Sequence, residues 1–141
     1  MARILLVDDE PSILNVLATL LRKQNYEVTP TSDGRKALDM IKSEKFDLLL
    51  TDIRMEPING LQLLEEMRNA QPHAGVILLT GYGSVKTAVQ AMKGGAFDYV
   101  TKPFKVDELL MTVQRALDYH NVLIENVDLK MKLEASYRLD N

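Results

Sequence analysis

The feature that most constrains this chain is a repeating order of short strand-like runs and longer amphipathic segments. Strand-length runs occur at 4–7, 27–29, 48–50, 76–79 and 97–100. The first, third and fourth are apolar throughout, which is typical of strands buried on both faces of a parallel sheet. The segments between the runs repeat apolar residues at helical spacing, and Ser84 is predicted to cap the fourth helix. The sequence therefore predicts an α/β fold, a doubly wound five-stranded parallel sheet in the order 2-1-3-4-5, with the more polar second and fifth strands at its edges.

Composition narrows the class of protein further. The 141 residues suit one compact domain, and the absence of cysteine excludes disulfides and thiolate metal sites. A net charge of -3, from 17 basic and 20 acidic residues, does not favour direct nucleic-acid binding by this segment. The sequence shows neither a bilayer-length apolar stretch nor a signal-peptide layout, so we expect no membrane contact and a cytoplasmic location.

Chemically reactive side chains stand where the predicted strands end. Asp8 and Asp9 follow the first strand, and Asp52 follows the third. Thr80 ends the fourth strand, and Lys102 comes shortly after the fifth. In a doubly wound sheet the ligand site lies outside the carboxyl ends of the strands. These carboxylates, the hydroxyl and the amine are therefore expected to converge on one edge of the sheet.

Such a cluster favours one kind of chemistry. Neighbouring carboxylates repel one another, and they either take up protons or gather cations. Mg2+ fits best, because it uses few carboxylates and retains water and phosphate oxygens as ligands. A carboxylate can attack phosphorus to form an acyl phosphate, while Lys102 and the Thr80 hydroxyl neutralise charge on the phosphoryl oxygens. Taken alone, Asp8, Asp9 and Glu10 are better explained as acids that favour a helix N-terminus, and only the company of Asp52, Thr80 and Lys102 at the other strand ends favours the phosphoryl site.

Stretches that contain these residues resemble the receiver family of two-component response regulators, across roughly residues 3–120. The stretches are Leu6-Val7-Asp8-Asp9-Glu10, Leu50-Thr51-Asp52-Ile53-Arg54-Met55, Leu79-Thr80-Gly81 and Thr101-Lys102-Pro103-Phe104. The resemblance implies a flavodoxin-like receiver fold in which Asp52 is phosphorylated by a sensor histidine kinase. It implies a regulatory domain rather than an enzyme, and a set of Mg2+ ligands: Asp8, Asp9, Asp52 and the backbone carbonyl of Arg54.

The family pattern also assigns the parts of a switch. Thr80 and Tyr99 are implied to be the switch pair, and Lys102 the lysine that contacts the phosphoryl group. Phosphorylation would draw Thr80 inward, let Tyr99 turn and reshape the surface of helix 4, strand 5 and helix 5. A tyrosine on an edge strand is also commonly a packing residue, and that alternative stays open. The family further implies a cis peptide bond between Lys102 and Pro103.

The loop after Asp52 departs from the family pattern. Most receivers place a proline where this chain has Glu56, and Pro57 follows one position later. Gly60 keeps the usual spacing from Asp52. Altered geometry is therefore expected in the loop between these two residues, with Glu56 either near the metal or simply in solvent.

Other classes of protein compete with this interpretation. A free-standing receiver, or one with a different output domain, would show the same site residues. A haloacid-dehalogenase-type phosphatase would use Asp52 as its nucleophile, but it needs a second aspartate where this chain has Arg54. A flavodoxin would cradle a flavin phosphate in its first loop, where Asp8 and Asp9 would repel it.

The last predicted helix extends beyond the receiver. Residues 1–120 are predicted to form the receiver domain and residues 121–141 a helical linker, because no Gly or Pro interrupts the helical pattern. Steps of three and four predict a coiled-coil homodimer with the seam Leu110, Val113, Leu117, His120, Ile124, Val127 and Met131. A helix packed on its own domain explains the first part of this pattern, residues 110–117, well, but Ile124, Val127 and Met131 lie beyond a normal receiver.

The segment from Thr80 to Tyr99 resembles receivers of sigma-54-dependent transcription activators. In that group a long fifth helix commonly leads to an AAA+ ATPase and a DNA-binding domain. The resemblance therefore implies that such effector domains follow in the full-length protein, and that the linker dimer responds to phosphorylation.

Overall fold

A computed structural model of the chain describes residues 1–81 and 85–139. The described residues form a parallel sheet with the strands β1 Arg3–Val7, β2 Glu27–Thr31, β3 Leu48–Asp52, β4 Gly75–Thr80 and β5 Asp98–Thr101. The strands alternate with the helices α1 Pro11–Lys23, α2 Gly34–Ser43, α3 Gly60–Ala70, α4 Val85–Lys93 and α5 Val106–Leu139. The strand order β2-β1-β3-β4-β5 confirms the predicted doubly wound sheet and its edges. The predicted cap at Ser84 lies outside the described residues.

Core residues lie on both faces of the sheet, as fully apolar strands require. Successive side chains of a strand point to opposite faces. Ile4 and Leu6 therefore pack with α1 and α5 on one face, while Leu5 and Val7 pack with α2, α3 and α4 on the other. All four side chains are fully buried. Close packing on both faces holds the strand ends, and the side chains that follow them, in fixed positions.

Helix α5 packs on the sheet only through its first part. It spans 34 residues, about 50 Å at the rise of an α-helix, and Leu110 near its start is half-buried. Val113, Leu117 and His120 are buried against the chain's own domain. The predicted dimer seam is therefore corrected at these three positions, because a face packed on its own domain is not available to a second copy. After residue 120 the described side chains are exposed or half-buried. None of the helices among the described residues has the length and apolar character needed to traverse a bilayer.

A polar network fixes the point where α5 leaves the domain. Nδ1 of His120 lies 2.6 Å from the carbonyl oxygen of His73, and Nε2 lies 2.9 Å from Oδ1 of Asp47. The other Asp47 oxygen, Oδ2, accepts a hydrogen bond from the backbone N–H of Arg3 at 2.7 Å. His120 thus joins α5 to β1 and to the residues that precede β3 and β4, and it acts as a structural anchor.

Replacing His120 with Leu should lower the free energy of unfolding by about 2 kcal/mol, because the Asp47 and His73 oxygens lose their partner. Urea unfolding followed by circular dichroism, at one protein concentration, measures the change. Asn121→Leu is the matched control, since Asn121 is the next residue of α5 and is exposed. The control should change the free energy of unfolding by less than about 0.5 kcal/mol. Equal losses in the two variants would contradict the anchoring role.

Candidate functional site

Strands β1, β3 and β4 bring the predicted site residues to one edge of the sheet. Asp8 directly follows β1, Asp52 ends β3 and Thr80 ends β4. In the parallel register Asp52 lies opposite Leu79, next to the end of the neighbouring strand. The backbone N–H of Ile53 donates to the Leu79 carbonyl oxygen at 3.0 Å, which extends the pairing of β3 and β4 past Asp52. The loop that follows Asp52 is thereby held against β4.

Lys102 joins the two buried carboxylates of the site. Its Nζ lies 2.9 Å from Oδ2 of Asp8 and 3.3 Å from Oδ2 of Asp52. Asp8 is 0% exposed, whereas the Asp52 side chain keeps 10% of its surface exposed and can be reached from solvent. The backbone N–H of Lys102 donates to the Thr80 carbonyl oxygen at 2.6 Å, which holds the lysine beside β4. The structure therefore brings Asp8, Asp52 and Lys102 into direct contact.

The charges in this cluster shift the pKa values of Asp52 and Lys102. Burial raises the pKa of Asp52, and the nearby Asp8 charge adds to this effect, so that the ion pair with Lys102 offsets it only in part. Burial alone would lower the pKa of Lys102, but its hydrogen bonds and ion pairs with Asp8 and Asp52 outweigh burial and raise it. The ammonium group is therefore firmly protonated at neutral pH. Because the pKa of Asp52 is raised, added positive charge at the site would favour its ionised form.

Asp8, Asp9 and Glu10 form an oxygen-rich cluster beside the lysine. One carboxylate oxygen from each residue lies within 4.8 Å of the others. Oδ1 of Asp8 accepts a hydrogen bond from the Glu10 backbone N–H at 3.0 Å. Glu10 is the N-cap of α1, but its side chain makes no capping hydrogen bond, so helix capping alone does not explain the acidic run. Clustered carboxylate oxygens are the donors that a hard divalent cation prefers, and they fit Mg2+.

Glu10 is the member of this cluster that the family pattern does not assign as a ligand. Its carboxylate is exposed, as is that of Asp9, whereas Asp8 is buried. The signal for Glu10 in the sequence is its position directly after Asp8 and Asp9, where β1 passes into α1. A helix that starts there turns successive side chains around one corner of the sheet and leaves their oxygens close together.

The remaining predicted residues differ in how they are placed relative to Asp52. The backbone N–H of Arg54 donates to Oδ1 of Asp52 at 3.3 Å, so Arg54 lies next to the carboxylate. Thr80 is 2% exposed, and within the described part of the chain no hydrogen bond joins its hydroxyl to Asp52. Tyr99 is 42% exposed on the edge strand β5. The tyrosine ring therefore points away from the core.

The loops beside the site contain two cis peptide bonds, before Pro57 and before Pro103. The second confirms the expectation from the family, and the first lies in the loop that departs from the family pattern. Glu56 is exposed, and with Asp9 and Arg54 it lines a cleft of about 640 Å³ at the mouth of the site. The cleft therefore carries side chains of both charges beside the site.

A doubly wound parallel sheet with an acidic, lysine-bridged site at its carboxyl edge is typical of the receiver domains of signalling proteins. The family model described as "Response regulator receiver domain" matches residues 4–114, and the chain belongs to this family. Regulatory protein AtoC of Escherichia coli strain K12 is 42% identical over 136 residues, which cover 96% of this chain and 30% of AtoC. The transcriptional regulatory protein ZraR of the same strain is 42% identical over 114 residues, which cover 81% of this chain and 26% of ZraR.

Solved structures agree with this assignment. NtrX from Brucella abortus, in complex with ADP, superimposes with a TM-score of 0.85 at 35% identity, over 91% of this chain and 30% of NtrX. The beryllofluoride-activated NtrC4 receiver domain dimer superimposes with a TM-score of 0.80 at 35% identity, over 85% of this chain and 99% of that chain. These matches confirm the resemblance to response-regulator receivers seen in the sequence, and the relatives named here are regulatory proteins by name. The chain spans less than a third of the length of AtoC and ZraR.

Proposed function

We propose that Asp52 accepts a phosphoryl group from the phosphohistidine of a sensor histidine kinase, and that the domain is the switch of a two-component system. An Asp52 carboxylate oxygen attacks phosphorus, the P–N bond breaks, and its electron pair leaves with the imidazole ring of the kinase. The observation that carries this proposal is the contact of Lys102 with both Asp8 and Asp52 in a buried acidic site. Arg54 stands where a phosphatase of the haloacid-dehalogenase type needs its second aspartate, so we favour a regulatory domain over an enzyme.

Mg2+ is the cofactor proposed for this transfer. Its proposed ligands are oxygen atoms of Asp8, Asp9, Asp52 and the backbone carbonyl of Arg54. When bound, Mg2+ supplies positive charge that neutralises the phosphoryl oxygens. Lys102 holds its ammonium group 3.3 Å from Asp52, where it can contact a phosphoryl oxygen, and the Thr80 hydroxyl supplies a hydrogen-bond donor at the end of β4.

Phosphoryl uptake should require Mg2+, because the clustered carboxylates otherwise repel an incoming phosphate. With acetyl phosphate as the donor, intact mass spectrometry should show a gain of one phosphoryl group in the presence of Mg2+. EDTA should abolish the gain, and excess Mg2+ added afterwards should restore it. Phosphoryl uptake that continues undiminished in EDTA would show that the transfer to this chain needs no divalent cation.

The output of the switch is proposed to be the surface formed by α4, β5 and α5. This surface carries exposed apolar side chains at Val89, Met92, Tyr99, Val106 and Met111. The outward position of Tyr99 leaves the ring free to turn inward once Thr80 moves toward the phosphoryl group. Such a change would alter the contacts that this surface makes with other domains.

The full-length protein is proposed to be a transcription activator that works in the cytoplasm with sigma-54. Its AAA+ ATPase and DNA-binding domains would follow α5, and a homodimer through the extended helix would transmit the state of Asp52 to them. The relatives named above support this proposal, because AtoC and ZraR are named as regulatory proteins and are more than three times as long as the matched segments. Exposed apolar side chains beyond residue 120 support the homodimer.

A further inference from the structure

Helix α5 continues for about 28 Å past the domain, over residues 121–139. An isolated helix has marginal stability in water, and most helical stability comes from covering an apolar face. The apolar residues of this segment fall into two stripes on different sides of the helix. We name the first the domain-side stripe: Ile124, Val127 and Met131. We name the second the solvent-side stripe: Val122, Leu129 and Leu133, together with the polar Asn126 between them and Tyr119 just before the segment.

The domain-side stripe continues the face that α5 packs on its own sheet. Val113, Leu117 and His120 are buried on that face, and Ile124 and Val127 follow them in steps of four and three. A second helix that ran parallel to α5 along this stripe would meet the first molecule's own receiver domain. The stripe therefore has no room for a parallel partner near the domain.

The side chains of the solvent-side stripe are exposed even beside the domain, where the opposite face of α5 is buried. Its large apolar side chains are 51–59% exposed, and they are Tyr119, Val122, Leu129 and Leu133. The steps along the stripe alternate between three and four, which is the spacing of the a and d positions of a coiled coil. The ring of Tyr119 lies 5.8 Å from the ring of Phe97, between centroids, so the stripe begins beside the start of β5. It is thus continuous with the proposed output surface.

Polar residues along the solvent-side stripe specify one arrangement of the partner. Asn126 occupies an a position between Val122 and Leu129 at d positions, and a single asparagine at a fixes the register of a coiled coil. In this heptad Glu125 is at a g position and Lys130 at the following e position. These positions face each other across a parallel dimer and form salt bridges between its helices. The charges therefore match a second copy of this chain.

The domain-side stripe lacks this match. Its corresponding g and e positions hold Leu123 and Asp128, which cannot form a salt bridge with each other. Its next core position after Met131 holds Glu134, which would bring like charges together at the centre of a dimer.

We propose that a second copy of this chain docks on the solvent-side stripe, as a parallel and in-register two-stranded coiled coil. Asn126 pairs across the dimer axis, and Glu125 faces Lys130 of the partner subunit. This assignment rests on the proposed function for the existence of the homodimer and adds the face, the direction and the register. Because Tyr119 packs beside Phe97, two residues before Tyr99, the coiled coil begins next to the strand that carries the proposed switch tyrosine.

Single cysteines can test the assignment, since the chain has no cysteine of its own. Leu129 and Met131 form a matched pair, because they are 58% and 64% exposed and lie two residues apart. Leu129 is at d in the proposed heptad, whereas Met131 is at the outermost position f. Under mild oxidation of the full chain, Leu129→Cys should form a disulfide-linked dimer at least about tenfold faster than Met131→Cys. Non-reducing electrophoresis over time measures both rates.

Faster cross-linking of Met131→Cys would assign the dimer to the domain-side stripe, and equal or absent cross-linking would exclude a parallel in-register dimer. Each of these results overturns the proposal. Phosphoryl uptake by Asp52, measured by intact mass on the same proteins, reports on the proposed function separately. If Asp52 took up no phosphoryl group while Leu129→Cys still cross-linked selectively, the proposed phosphoryl transfer would be contradicted and the coiled-coil assignment would stand.

Charge reversal tests the register independently. Glu125→Lys should raise the dissociation constant of the dimer several-fold at low salt, because the new ammonium group would face Lys130 of the partner subunit twice in each dimer. Adding Lys130→Glu to the same chain should restore dimer formation. Asp128→Lys, with the same change of charge at the outer position c, should have little effect. Sedimentation equilibrium measures the dissociation constant of the dimer for each variant. A double variant whose dissociation constant stays as high as that of Glu125→Lys would rule out the Glu125–Lys130 pairing.

Discussion

The Asp52→Asn protein should take up no phosphoryl group from acetyl phosphate and Mg2+, whereas the unaltered chain should gain one. An amide is not the nucleophile that a carboxylate is, yet Asn has the size of Asp, so the site should keep its shape. The same variant should also be more stable than the parent at neutral pH. Burial raises the pKa of Asp52 in the folded state, so the stability contributed by this group is complete below its unfolded pKa and is lost as pH rises through its folded pKa. The amide does not titrate, and the advantage of the variant should therefore shrink as the pH is lowered.

Intact mass spectrometry measures the uptake, and urea unfolding at neutral and acidic pH measures the stability. Asp39→Asn is a suitable control, because Asp39 is exposed on α2 and outside the site. It should take up a phosphoryl group at the rate of the parent. A phosphoryl gain that survives in Asp52→Asn would place the acceptor elsewhere in the acidic cluster, and proteolytic mapping of the modified protein would then identify it.

The sheet and its active edge follow from patterns that act over short distances. A strand that is apolar at every position has to be covered on both faces, so residues 4–7 and 48–50 already predict a parallel sheet with helices on both sides. The carboxyl ends of parallel strands share one edge, which places Asp8, Asp52 and Lys102 together before any distance is known. The structure confirms this convergence with contacts of 2.9 Å and 3.3 Å from Lys102.

The face of α5 that meets a partner does not follow from periodicity alone. A helix packed on its own sheet and a helix in a dimer both repeat apolar residues in steps of three and four. The sequence pattern therefore joined Val113 and Leu117, which are buried on the chain's own sheet, to Ile124 and Met131, which lie beyond it. Tertiary burial separates these groups, and the polar residues at flanking positions then distinguish the two stripes.

The close approach of one backbone segment to another is a second property that the spacing of residues in the sequence does not reveal. Gly60 keeps the usual distance in sequence from Asp52, but only the fold shows why a side chain is excluded there. A Cβ atom on Gly60 would press against the carbonyl oxygen of Asp52 and would lie 2.9 Å from Cα of Ile53. Both neighbours are backbone atoms of the segment that carries Asp52, the proposed phosphoryl acceptor, so they cannot move without moving Asp52.

Gly60→Ala should therefore lower the free energy of unfolding by about 3 kcal/mol and slow phosphoryl uptake, although Ala ordinarily favours a helix over Gly by about 1 kcal/mol. The backbone N–H of Gly60 donates to the Ile53 carbonyl oxygen at 2.9 Å, and relief of the clash would break this bond. The loss of stability and the loss of uptake have the same cause, which is displacement of the backbone from Asp52 to Ile53. Urea unfolding and the time course of intact mass measure the two effects on one protein preparation.

Gly81→Ala is the matched control, because a Cβ atom added at Gly81 would meet no atom of the described residues within 4 Å. It should leave the free energy of unfolding unchanged to within about 0.5 kcal/mol. A Gly60→Ala protein as stable as this control would mean that the segment after β3 shifts without cost. The position of Asp52 would then not be fixed by the start of α3, and the rigid placement of its carboxylate would have to come from the ion pair with Lys102 alone.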